Sequence, residues 1–116
     1  MNRENVLREK SYAFALRIIK AYKYLAKEQN EYVLSKQLLC AGTAIGALVR
    51  EAEYAQSKAD FVSKMSIALK EANETEYWIM LLRDSEYISL PISKSLLEDC
   101  SELLRLLISS VKTAKQ

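Results

Sequence analysis

The chain has no histidine, one proline, two glycines and two cysteines among its 116 residues. Without histidine there is no Ser-His or Cys-His nucleophile system, no Cys/His zinc finger and no Glu-x-x-His helix of a di-metal bundle. Few glycines and prolines leave few places where a helix must break, which favours an all-α chain. Cys40 and Cys100 form neither a CxxC pair nor a disulfide framework, and read as reduced, mostly buried thiols in a cytoplasmic protein. The longest nearly uncharged stretch, Leu38 to Val49, is too short to span a bilayer and suits a core helix. The segment from Met1 to Lys10 lacks the apolar core of a signal peptide. No membrane partner is expected.

Phosphate-binding loops are missing too. The Gly42-x-x-x-Gly46 spacing has neither the preceding strand nor the Lys-Ser/Thr of a Walker loop. Glu71 with Glu74, and Glu51 with Glu53, are the closest approach to paired carboxylates. Without partner ligands they read as solvated or salt-bridged helix faces. Catalytic, cofactor-binding and metal-ligating residues are therefore expected to be none, and the chain is not expected to be an enzyme.

What remains is ordinary for one globular domain spanning residues 1–116: 50% hydrophobic and 28% charged residues. The net charge of +2 is small but unevenly spread. Residues 1–58 carry ten Lys/Arg against six Asp/Glu, and residues 59–116 carry seven against nine.

Apolar spacing marks four amphipathic helices. The first runs from about Glu4 to Gln29, with Phe14, Ile18, Tyr22 and Leu25 on one face. The second, from about Glu31 to Ala55, has the seam Leu34, Leu38, Ala41, Ile45, Leu48, Ala52. The third, from about Lys58 to Arg83, repeats the pattern with Phe61, Met65, Ala68, Ala72, Thr75, Ile79 and Leu82. The fourth, from about Pro91 to Lys112, uses Leu97, Cys100, Leu104, Leu107 and Val111. Asn30 is placed to cap either neighbouring helix, Ser57 with Asp60 resembles a capping box, and Pro91 sits where a first turn accepts it. Short connections make neighbours antiparallel, so the expected fold is an up-down-up-down four-helix bundle.

One stripe per helix suffices for a monomeric bundle, but three helices carry more. Opposite the seam of the second lie Cys40, Thr43, Ala44 and Ala47, and no charge occurs between Lys36 and Arg50. Tyr12, Leu16 and Ile19 form an extra stripe on the first helix, and Ile67, Glu71, Glu74, Trp78 and Leu81 one on the third. These surplus faces predict a homo-oligomer or partner interface. Gly42 and Gly46 imply close backbone approach, either inside the bundle or between subunits. On the first helix Lys10, Arg17, Lys20 and Lys27, with Tyr24 among them, line a face opposite Phe14. Such a stripe could track a phosphate backbone and stack a base, or be a solvated outer face.

Three runs carry a family resemblance: SYAFALRIIKAYKYL from Ser11 to Leu25, LSKQLLCAGTAIGALVREAEYAQSKADF from Leu34 to Phe61, and VSKMSIALKEANETEYWIMLL from Val62 to Leu82. Gly42 and Gly46, Glu51-Ala52, Ser57, Phe61 and the segment Ala68-Leu69-Lys70-Glu71 are its more specific features. The chain resembles the small bacterial four-helix-bundle proteins linked to ribosomal-RNA intervening sequences. The resemblance implies a homopentamer and a connection to the accessory proteins of diversity-generating retroelements, which are basic, pentameric partners of a reverse transcriptase and its RNA. This chain departs from that branch in being nearly neutral. The family brings no catalytic residues. The expected function is a non-enzymatic oligomeric adaptor contacting RNA or a ribonucleoprotein; the alternative is a protein-binding scaffold using the Glu71-Glu74-Trp78 stripe.

Overall fold

The computed structural model describes residues 3–116; residues 1 and 2 of the expected domain lie outside the described residues. Four helices make up the described chain: α1 (Arg3–Lys27), α2 (Leu34–Glu53), α3 (Lys58–Asp84) and α4 (Leu90–Lys115). Each packs on its chain neighbour, and α1 meets α4 over a shorter stretch to close an up-down-up-down bundle of 44 × 21 × 21 Å.

The helix ends follow from local chemistry. Ser57 caps α3, its Oγ accepting the Asp60 N–H at 3.0 Å while Asp60 Oδ2 accepts the Gln56 N–H at 3.2 Å. Ser89 caps α4 by accepting the Ile92 N–H at 3.3 Å, and Pro91 lies in the first turn. The start of α2 departs from expectation. Glu31, not Asn30, holds it: the Val33, Leu34 and Ser35 N–H groups donate to the Glu31 carboxylate at 3.1, 3.0 and 2.6 Å. The chain is thereby held in a turn through residue 33, so α2 begins at Leu34 rather than near Glu31. Asn30 instead takes the left-handed conformation, φ 53°, that turns the chain out of α1. At the end of α3 the same conformation falls on Glu86, φ 67°. The Tyr87 N–H reaches Leu82 O and the Glu86 N–H reaches Arg83 O, a Schellman closure with glutamate where glycine is usual.

The core holds Leu7, Phe14, Ile18 and Leu25 of α1, Leu38, Ile45 and Val49 of α2, Met65, Ile79 and Leu82 of α3, and Leu96, Leu103 and Leu107 of α4. The α3 seam falls as expected from Met65 to Leu82, with Phe61 packed at its edge. In α4 the buried leucines are Leu96 and Leu103 rather than Leu97 and Leu104, and in α2 Val49 replaces Leu48. Each displaced residue is the chain neighbour of the buried one and packs half-buried at the core's edge. Buried Ser93 and Ser110 lie on the inward side of α4.

Gly42 and Gly46 face α1. A Cβ on Gly42 would stand 2.7 Å from Ile18 Cγ1, whereas one on Gly46 would meet Ser11 Oγ at an ordinary 3.4 Å. The close approach implied by the glycines is therefore made within the bundle.

Candidate nucleic-acid and assembly surfaces

The five residues of the basic stripe all lie on α1, but they divide into two groups. Lys10 Nζ pairs with Glu102 at 3.2 Å and Arg17 Nη1 with Asp99 at 2.6 Å, both across to α4. Helix α4 thus supplies carboxylates that offset this half of the stripe, and such exposed pairs bind their partners weakly. Lys20 and Lys27 are exposed, with no carboxylate at ion-pair distance among the described residues. Lys23, overlooked in the sequence reading, is exposed and falls between them. Lys20, Lys23 and Lys27 follow the i, i+3, i+7 spacing of one helix face, and that spacing would have found it. Tyr24 borders this row half-exposed, its hydroxyl accepting from Gln29 Nε2 at 2.7 Å.

Below Tyr24 a groove of about 440 Å³ opens where α1 and α4 part. Arg17, Lys20, Ala21 and Tyr24 form one wall; Ile88, Ser89, Ile92 and Leu96 form the other. A larger depression of about 650 Å³ between α3 and α4 is more open and has mixed charge, with Glu76, Glu98, Arg83 and Lys94 around Met80, Leu90 and Leu97.

The surplus apolar residues lie around α2. Cys40 and Ala47 are exposed and Thr43 half-buried, its hydroxyl donating to Leu39 O at 2.7 Å. Cys40 therefore differs from the buried thiol expected of it. On the α1 side, the Arg50 guanidinium lies 5.6 Å above the Tyr12 ring, and Arg8 pairs with Glu53 at 3.5 Å. Leu16 is 53% exposed and Ile19 half-buried along the same edge. On the α3 side, Lys64 pairs with Glu51 at 3.5 Å. At 100° per residue, Ile67, Glu71 and Trp78 lie on the α2-facing flank of α3, with Glu74 and Leu81 further outward. Trp78 packs half-buried on the core and meets Tyr77 edge-to-face at 5.1 Å. Burial pushes the Glu71 carboxyl above its ordinary value, and the charge and hydrogen bond of Glu74 add to this. One broad surface therefore runs from Tyr12 across Cys40 and Ala47 to Ile67.

Cys100, by contrast, is buried, and its Sγ donates to Ala72 O at 3.3 Å. Burial, with Glu76 and Asp99 nearby, pushes its pKa up to about 12, so it carries no thiolate at neutral pH. No group of three or more His, Cys, Asp or Glu among the described residues could hold a metal ion. No helix among them is long and apolar enough to cross a membrane.

The described chain is thus an all-α four-helix bundle with exposed apolar residues around α2 and a row of lysines on α1. The chain matches the family described as 23S rRNA-intervening sequence protein over residues 3–109, and it belongs to that family. It is also similar to a crystal structure from Bacteroides thetaiotaomicron VPI-5482, a protein with unknown function from the S23 ribosomal protein family. The two share 54% identity over 96% of this chain and 99% of the other, with a TM-score of 0.94. The comparison with curated proteins found no match.

Proposed function

We propose that this protein is a non-enzymatic homo-oligomeric adaptor, pentameric as the family resemblance implies, that contacts RNA or a ribonucleoprotein. The observation that carries the RNA contact is the row of Lys20, Lys23 and Lys27, none of them ion-paired among the described residues, bordered by Tyr24. Three lysines on one chain make a weak field, but repeated around an assembly they add. The family's description names an intervening sequence of 23S rRNA, which makes structured RNA the ligand of choice. The α2-centred apolar surface supports assembly, because Tyr12 and Leu16 of α1 and Ile67 of α3, each more than 40% exposed, flank α2 on its two sides.

The test is a mobility shift with structured RNA across a salt series. Affinity should fall with salt, and Lys20→Gln with Lys27→Gln should lower the slope of log affinity against log salt by about two per protomer engaged. A slope near zero would remove the phosphate contact and leave the scaffold reading, in which the Glu71-Glu74-Trp78 stripe receives a protein partner.

A further inference from the structure

The α1–α4 groove has a composition that phosphate-backbone contact does not require. Half of its lining is aliphatic, from Ala21, Ile88, Ile92 and the fully buried Leu96. Its volume of about 440 Å³ lies within the range of small-molecule sites. The two charged groups that line it, Arg17 and Lys20, are both cationic, and Lys20 is exposed without an ion-pair partner among the described residues. Arg17 is already paired with Asp99 at 2.6 Å, which leaves Lys20 as the cation free to meet an anion.

These features select the occupant. A peptide or nucleobase brings several donors and acceptors, and each left unpaired against hydrocarbon is costly. The aliphatic part of the groove answers none of them, because Ala21, Ile88, Ile92 and Leu96 carry no polar side-chain atom. A plain hydrocarbon chain has no such groups to lose. From Arg17 to Tyr24 the wall is roughly 10 Å long at 1.5 Å per residue, which suits a medium chain.

We propose that the α1–α4 groove binds a medium-chain fatty acid, its acyl chain on Ile88, Ile92 and Leu96 and its carboxylate against Lys20. The assignment does not rest on the RNA contact, although Lys20 and Tyr24 belong to both. Calorimetric titration of the whole chain with hexanoate, octanoate and decanoate below their micellar concentrations tests it. Saturable binding of one molecule per chain is expected, tightening about fourfold for each methylene. Decanol should bind more weakly than decanoate, and Lys20→Glu should weaken decanoate about tenfold by removing a charge-assisted contact. Ile92→Gln, an uncharged change at a half-exposed position, should weaken uptake about tenfold while leaving the helical circular dichroism and the RNA salt slope unchanged. The proposal is overturned by no saturable uptake, by decanoate binding that both variants leave intact, or by a leucine-ended peptide binding as tightly as decanoate.

Discussion

Glu31 is 8% exposed and accepts three backbone N–H groups, so it replaces the usual short capping side chain with a longer one that reaches forward to the first turn of α2. Burial alone pushes its carboxyl up, but the hydrogen bonds from Leu34, Ser35 and Val33 outweigh this and hold it below the ordinary glutamate value. A lowered carboxyl contributes stability that is complete above its unfolded pKa and is lost as pH falls through the folded one. Glu31→Ala should therefore cost about 1 kcal/mol near neutral pH. The gap from the wild type in urea denaturation should narrow as the solution is acidified below the ordinary glutamate range. Glu71 has the opposite sign: its raised carboxyl costs stability at neutral pH and returns it on acidification. The cysteines offer a second residue-scale prediction. A thiol reagent should leave Cys100 unmodified in the native protein and reach it only in denaturant, because Cys100 is buried and protonated.

At the scale of the element, the two glycines of α2 lie one turn apart and should respond with opposite signs. Gly42→Ala gains helix propensity but drives a methyl against the β-carbon branches of Ile18, which is fully buried and cannot withdraw. Overpacking of this kind costs about 1–3 kcal/mol, so a net loss is expected. Gly46→Ala meets Ser11 at an ordinary distance and should gain about 0.5–1 kcal/mol. Thermal melts of the two variants decide it. The elements also show where periodicity suffices and where it does not. The α3 seam was legible because Met65, Ala68, Ala72, Thr75 and Ile79 have no equally apolar competitor displaced by one residue throughout. In α4, the pairs Leu96-Leu97, Leu103-Leu104 and Leu106-Leu107 leave the phase open, and a hydrophobic count passes over Ser93 and Ser110, which face inward. The Glu31 cap was missed for a related reason: a carboxylate four residues before Ser35 is a rarer cap than Asn30.

For the whole molecule, the order of the helices was readable from their short connections, and the surplus stripes of α1, α2 and α3 follow from helical spacing. The pairing of Lys10 with Glu102 and of Arg17 with Asp99 was not, because it joins residues more than 80 positions apart that only bundle closure brings together. The α1–α4 groove escaped notice for the same reason. Its walls come from opposite ends of the chain. What the closed bundle leaves uncovered is the surface around α2, and assembly through it is the central claim. Ala47→Arg, an exposed change that leaves the core untouched, should break that assembly without unfolding the protomer. Light scattering of the purified wild type at micromolar concentration is the most direct test. A mass about five times the 13.3 kDa chain is predicted, and a 13.3 kDa particle would contradict it.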